Sequence, residues 1–181
     1  MSFNFFSKKG KAPEAPHFVD RIYLSKAAKL NACLALVQQE PNTVFITWFT
    51  DTAGEFREFF AQHGLDEFHV REARSIHTAM LEHKNPVFAE HHPLHAKEIE
   101  MISNWSQKKI FVYTSLDEPL LMHFGSDQVI TLMRTMGMKE DEVVESSMVT
   151  NAIGRAQKKI ASKVSIEQSA NSQAEWMMKN V

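Results

Sequence analysis

The sequence predicts an α/β fold: a three-layer arrangement with a mostly parallel sheet of about four to five strands and flanking helices, followed by a helical extension. Three observations predict it. Thr43–Phe49, Pro86–Ala89 and Lys109–Thr114 are short runs rich in β-branched and aromatic residues. They are continuous enough to be buried on both faces, as parallel strands are. The stretches between them place apolar residues at helical spacing. Connections are short, and repeated strand–helix–strand units with right-handed crossovers put helices on both faces of one sheet.

In chain order, residues 1–20 read as an N-terminal arm carrying Phe3, Phe5 and Phe6, with Lys8, Lys9 and Lys11 behind them. From Ser25, the residues Ala28, Leu30, Cys33, Leu34 and Val37 recur at helical spacing until Pro41 stops the helix. The strand Thr43–Phe49 follows. Thr50, Asp51 and Thr52 offer N-cap side chains, with Glu55 three residues beyond Thr52 as in a capping box. Phe56, Phe59 and Phe60 form the inner face of that helix, which Gly64 ends.

Leu65–Ala73 is a shorter, more polar strand candidate nearer a sheet edge. Ser75 can cap a short helix carrying Ile76, Ala79, Met80 and Leu81. After Pro86–Ala89 come Glu90, His91, His92, Pro93, Leu94 and His95, with Pro93 placed to open a helix over Leu94–Trp105. Lys109–Thr114 is the last strand. Residues 21–125 thus form the α/β domain, and residues 126–181 a C-terminal helical extension. Asp127 can cap a helix ending near Gly137. Ser146 or Ser147 can start another, with Val149, Ile153, Ala156, Ile160 and Val164 on one face. Ser165–Val181 either extends that helix or frays, and Trp176-Met177-Met178 is its apolar end.

The chain has 181 residues, 44% of them hydrophobic and 23% charged, with a net charge of −2. That is ordinary globular usage with no global field to attract nucleic acid or anionic lipid, so no nucleic-acid partner is expected. The single cysteine, Cys33, excludes a disulfide framework and a thiolate metal site and fits a reducing, cytoplasmic compartment. No stretch is long and apolar enough for an integral membrane segment.

Ser115–Asp127 (SLDEPLLMHFGSD), Val129–Arg134, Met136-Gly137-Met138, Glu145–Ile153 and Ala156–Lys159 together resemble the preprotein translocase motor ATPase SecA. The match falls where that family's second nucleotide-binding domain ends and its helical scaffold begins. Lys26–Gln39, Thr43–Phe49 and Thr50–Phe56 are similar to the opening of the same domain. Glu90-His91 and Glu98-Ile99-Glu100 resemble, more faintly, its glutamate-arginine-histidine-glutamate region. The resemblance implies a RecA-like, helicase C-terminal type of sheet.

The departures bear on chemistry. The family's glycine-rich Ala-Gly-Arg-Gly-Thr-Asp segment has no counterpart between Leu81 and Pro86, and its arginine motif is replaced by Met101–Gln107, which holds no arginine. No G-x-x-x-x-G-K-[ST] loop occurs in the chain. Arginines of that kind stabilise charge on the transferred phosphoryl group, typically worth about 10³ or more in rate. Neither ATP as a cofactor nor autonomous ATP hydrolysis is expected.

Two function classes follow. The first is a non-catalytic protein-interaction module derived from the motor domain, its partner being the translocation machinery, a complementary ATPase domain or another copy of itself. Ile153, Ile160, Trp176 and Met177 are the candidate partner-binding residues. Such a protein would be cytoplasmic, and peripheral at the membrane through its partner. The alternative is a small-ligand or metal-dependent enzyme using the strand-end edge around Glu90–His95. There Asp51, Glu90, His91 and Asp117 are candidate ligand-binding residues, each at or near a strand end. His91, His92 and His95 are the candidate zinc ligands, three nitrogens being enough for an open zinc site.

Overall fold

The computed structural model describes residues 15–144 and 147–181. Most of the expected arm, with Phe3, Phe5 and Phe6, lies outside the described residues, as does Ser146 as a helix start.

Among the described residues, five strands form one fully parallel sheet: β1 (His17–Tyr23), β2 (Thr43–Thr47), β3 (Val70–Glu72), β4 (Asn85–Phe88) and β5 (Lys109–Ser115), in the order β1-β5-β4-β2-β3. The helices are α1 (Lys26–Gln39), α2 (Thr50–Gln62), α3 (His95–Ile102), α4 (Pro119–Met122), α5 (Ser126–Thr135), α6 (Ser147–Ala161) and α7 (Gln173–Asn180). The α/β class and the parallel sheet are as the sequence predicts, and the architecture is consistent with a RecA-like fold.

Alternation along the inner strands assigns the two faces of the sheet. Phe45 and Val87 point to α1 and α2, packing with Cys33, Val37, Phe56 and Phe60. Ile46 and Phe88 point to the other face, against Ile102 of α3, Leu81 and Trp105. Phe88 stacks between Trp48 and Trp105, with ring centroids 5.3 and 5.7 Å away. The units leaving β2 and β4, which are neighbours, therefore fold to opposite faces. That makes the carboxyl ends of β2 and β4 the topological switch point, where an open α/β sheet has its binding crevice.

Several details depart from the sequence reading. β1 begins at His17, inside the stretch read as an arm. Its residues Asp20 and Arg21 interrupt the apolar pattern, and only Ile22 and Tyr23 are fully buried, because it is an edge strand paired on one side with β5. The residue before α2 is Phe49, with no side-chain cap bond. Thr52, expected as that cap, donates its hydroxyl to Glu90 at 2.8 Å, and Glu55 pairs with Lys26 at 3.1 Å. A 3₁₀ turn, Thr78–Leu81, stands where Ser75 was to start a helix; the Ser75 hydroxyl instead donates to the Glu72 carbonyl. Pro93 lies outside α3, which starts at His95 with Leu94 as N-cap and ends at Ile102, three residues before Trp105.

Gly125, not Asp127, precedes α5. Its φ of +83° is a left-handed conformation open to glycine, and the Ser126 hydroxyl donates to the Leu116 carbonyl. Past α6 the chain neither extends the helix nor frays. It leaves regular structure after Ala161 and re-forms α7, capped by Ser172 accepting from Glu175 N at 3.1 Å. Val144 N donates to Ile22 O at 2.7 Å, laying the chain before α6 along the β1 edge.

Candidate functional site

Glu90, His91 and His92 follow β4 after Ala89, so the strand delivers three consecutive polar side chains to the switch point. They are 3, 4 and 5% exposed, far from a solvated loop. Burial of this kind requires partners, and each side chain has them.

Glu90 turns toward β2. Its Oε1 accepts from Trp48 N at 3.0 Å and Phe49 N at 3.2 Å, and its Oε2 from the Thr52 hydroxyl. A carboxylate thus sits beside the start of α2, against the two backbone amides that precede the helix and the Thr52 hydroxyl of its first turn, at the end where the helix dipole favours negative charge. Burial nevertheless pushes its pKa up to about 7; Lys29 pulls it down and Glu118 adds to the rise.

Lys29 belongs to a buried pair behind Glu90. Its Nζ lies 2.5 Å from Glu118 Oε1 and donates to Ala89 O at 2.8 Å. Glu118 also accepts from the Thr114 hydroxyl at 2.6 Å and from Ser115 N at 3.1 Å. Burial works against the charged lysine, but the Glu118 charge and hydrogen bond outweigh it and raise the Lys29 pKa. The ammonium therefore stays charged.

His91 turns the other way, between two acids. Its Nδ1 lies 2.9 Å from Glu98 Oε1 and its Nε2 3.1 Å from Asp20 Oδ1. Burial alone would lower its pKa, yet Glu98 and Asp20 raise it to about 10. Glu98 is the reciprocal case: burial would raise its pKa, and His91 with the other donors holds it near 2. Those donors are His92 N at 2.8 Å, His95 Nδ1 at 2.9 Å and Gln157 Nε2 at 2.8 Å. His92 stays neutral, its pKa lowered to about 4 by burial despite Glu167. Its ring stacks on Phe49 and meets Trp176 edge-on, and its Nδ1 accepts from Leu94 N at 3.0 Å.

The helical extension closes the edge. Gln157 of α6 also donates to His92 O at 2.8 Å. Gln173 of α7 accepts from Leu120 N at 2.8 Å and donates to His91 O at 3.0 Å. Asp51 N donates to Asn171 O at 2.9 Å. An open cleft of about 800 Å³ remains beside α7, bordered by Trp48, Arg74, His92 and Lys97.

The candidate residues sort as follows. Glu90, His91 and His92 converge at the switch point. Asp51 is exposed in the first turn of α2, and exposed Asp117 accepts from Lys26 N at 2.9 Å, serving the start of α1. His95 is exposed and meets the cluster through Glu98 alone. Both ring nitrogens of His91 face carboxylates, and among the described residues no group of three or more His, Cys, Asp or Glu is arranged to hold a metal ion. Ile153, Ile160, Trp176 and Met177 are buried within the chain: Ile153 packs with Ile22, Leu116 and Ile130, and the other three with Phe49 and Leu120.

Sequence reasoning missed Lys29, Glu98, Glu118, Gln157 and Gln173. A signal for most of them was present, since each occupies an apolar helical register: Lys29 with Cys33 and Val37, Glu98 with Ile102, Gln157 with Ile153 and Ile160, Gln173 with Trp176 and Met177. A polar residue in such a register is buried and must be paired.

Fold and site together define an α/β parallel-sheet domain whose strand-end crevice is lined by its own buried ion pairs, with an open cavity of about 630 Å³ bordered by Lys29, Thr52, Glu90 and Glu118. No protein-family model matches the chain. Curated relatives do match part of it. The chain is 52% identical over 48 residues to the protein translocase subunit SecA of Chlorobium phaeobacteroides strain BS1, covering 26% of this chain and 5% of that protein. It is 49% identical over 51 residues to SecA of Acidithiobacillus ferrooxidans, covering 28% and 6%. SecA of Chlorobaculum tepidum is 50% identical over 48 residues, covering 26% and 5%. The chain therefore contains a SecA-related region, and the match spans about one-twentieth of the length of these relatives. No helix among the described residues is long and apolar enough to cross a membrane.

Proposed function

We propose that this chain is a non-catalytic protein-interaction module derived from the translocase motor's second nucleotide-binding domain. In this reading residues 21–125 are the α/β body and 126–181 the helical extension. The observation that carries it is the Glu90 carboxylate seated on Trp48 N, Phe49 N and the Thr52 hydroxyl. At a switch point those donors are the ones an incoming anionic ligand would use, and here a fixed side chain competes for them.

The sequence supports the same reading from the side of chemistry. It carries no phosphate-binding loop and no arginine in Met101–Gln107. Charge on a phosphoryl group in flight would meet the Glu90 side chain, whose neighbours Glu98 and Glu118 already hold His91 and Lys29 as their own counter-charges, the reverse of what phosphoryl transfer needs. The module binds a component of the translocation machinery, in the cytoplasm and peripheral to the membrane, using surfaces outside the filled edge.

Phosphate release with Mg·ATP tests it. The purified chain should show no turnover above buffer, and Glu90→Gln should leave that rate unchanged. Saturable hydrolysis that falls on substitution of Glu90 or Thr52 would overturn the reading.

A further inference from the structure

Residues 167–181 form a unit bonded mainly to itself. The Trp176 indole donates to Glu167 Oε1 at 2.8 Å, and Gln168 N to Asn180 Oδ1 at 2.7 Å, with Asn180 Nδ2 returning to Gln168 O at 3.0 Å. Asn171 N donates to Glu175 Oε2 at 2.7 Å, and Lys179 Nζ to Ser169 O at 3.2 Å. This stapling fixes the shape of the unit from within.

Its attachment to the body is separate and compact. Gln173 supplies two hydrogen bonds, Asn171 O receives Asp51 N, Glu167 pairs with Lys97, and Trp176, 1% exposed, packs on His92. The receiving surface is held in place by groups outside the unit: His91 by Asp20 and Glu98, His92 N by Glu98, and the start of α4 by Glu118. Between α6 and the unit, residues 162–166 have no regular structure, and Ile166 is 85% exposed. Five such residues span up to about 17 Å when extended.

A rigid socket, a self-stapled plug and an exposed connector are the parts of a segment exchange. We propose that the 167–181 unit is exchangeable, and that its second occupant is the same unit of another copy of this chain, contributing Gln173 and Trp176 to its partner's socket. This goes beyond the absence of catalysis and does not depend on it. The plug in place shows the chemistry that the socket takes: a helix with glutamine followed three residues later by tryptophan. Tethering gives the plug an effective concentration on the order of millimolar, so the closed monomer dominates in dilute solution.

The test uses a fluorescent peptide of residues 165–181 and full-length chains. A chain carrying Gln173→Ala and Trp176→Ala keeps the socket and weakens its own plug. It should bind the peptide saturably and at least tenfold tighter than wild type does. Equal binding by both chains, or none by a variant with native circular dichroism, overturns the proposal.

A second arm covers a variant that fails to fold. Chains carrying D51C and N171C singly are mixed under mild oxidation, beside one chain carrying both changes. The double variant should close a bond within one chain, and the mixture should yield a covalent dimer that increases with concentration. A bond within the double variant and none between chains, or no bond in either, overturns the proposal.

Discussion

Glu98 Oε1 of α3 lies 2.9 Å from Nδ1 of His91, seven positions earlier in the loop that follows β4. Glu98 simultaneously receives His92 N, His95 and Gln157, so one carboxylate joins the sheet edge to α3 and α6. Removing it leaves His91 Nδ1 and His92 N buried without an acceptor and takes one of the two acceptors of Gln157. Glu98→Ala should therefore cost about 3–5 kcal/mol, the range for breaking one side of a buried pair. Urea unfolding measures it.

The same contact sets the alkaline limb of stability. The His91 pKa rises from 6.5 to about 10 on folding, so its contribution is complete below pH 6.5 and is lost as pH rises toward 10. Glu98 falls from 4.5 to about 2, so its contribution holds above pH 4.5 and is lost toward pH 2. Glu90, raised from 4.5 to about 7, favours the folded state less as pH climbs through that window. His92, lowered from 6.5 to about 4, works in the opposite direction and offsets it. Stability should be level between about pH 4.5 and 6.5 and fall by about 3–5 kcal/mol by pH 10. Thermal melts across pH should show that fall, and His91→Asn should flatten it.

Lys29 and Glu118 form the second buried pair. Lys29→Met should cost about 3–5 kcal/mol by stranding Glu118, whereas Lys29→Met with Glu118→Gln should recover at least about 1 kcal/mol of that loss. A double-mutant cycle by denaturant unfolding measures the coupling, and additive single losses would show that the pair acts independently.

Gln157 is the link from α6 to the edge, donating to both His92 O and Glu98 Oε2. Gln157→Leu keeps the volume and removes both donors, and should cost about 1–3 kcal/mol. Hydrogen exchange should quicken in α6 and α3 and hold steady in β2 and β4.

The sheet was legible in the sequence because its inner strands β2, β4 and β5 are continuous apolar runs. β1 was not, since an edge strand carrying Asp20 and Arg21 lacks that signal and is defined by its pairing with β5. Glu90, His91 and His92 stood out by their type and position after β4, while the groups that pair with or hold them come from α1, α3, α6, α7 and β1. Such pairings join residues far apart in the chain, 71 positions for His91 and Asp20 and 89 for Lys29 and Glu118, and only the folded topology brings them together. The start of α2 was misread because Thr52 had a better partner across the structure than along the chain.

The proposed function requires that the carboxylates lining the switch-point crevice keep nucleotides from binding there. Calorimetric titration with Mg·ADP and Mg·ATP measures this directly. The account predicts no saturable heat with either nucleotide at concentrations up to about 1 mM, where a Kd of 1 mM corresponds to about −4 kcal/mol. Saturable one-to-one binding that weakens on substitution of Thr52 or Lys29 would contradict it.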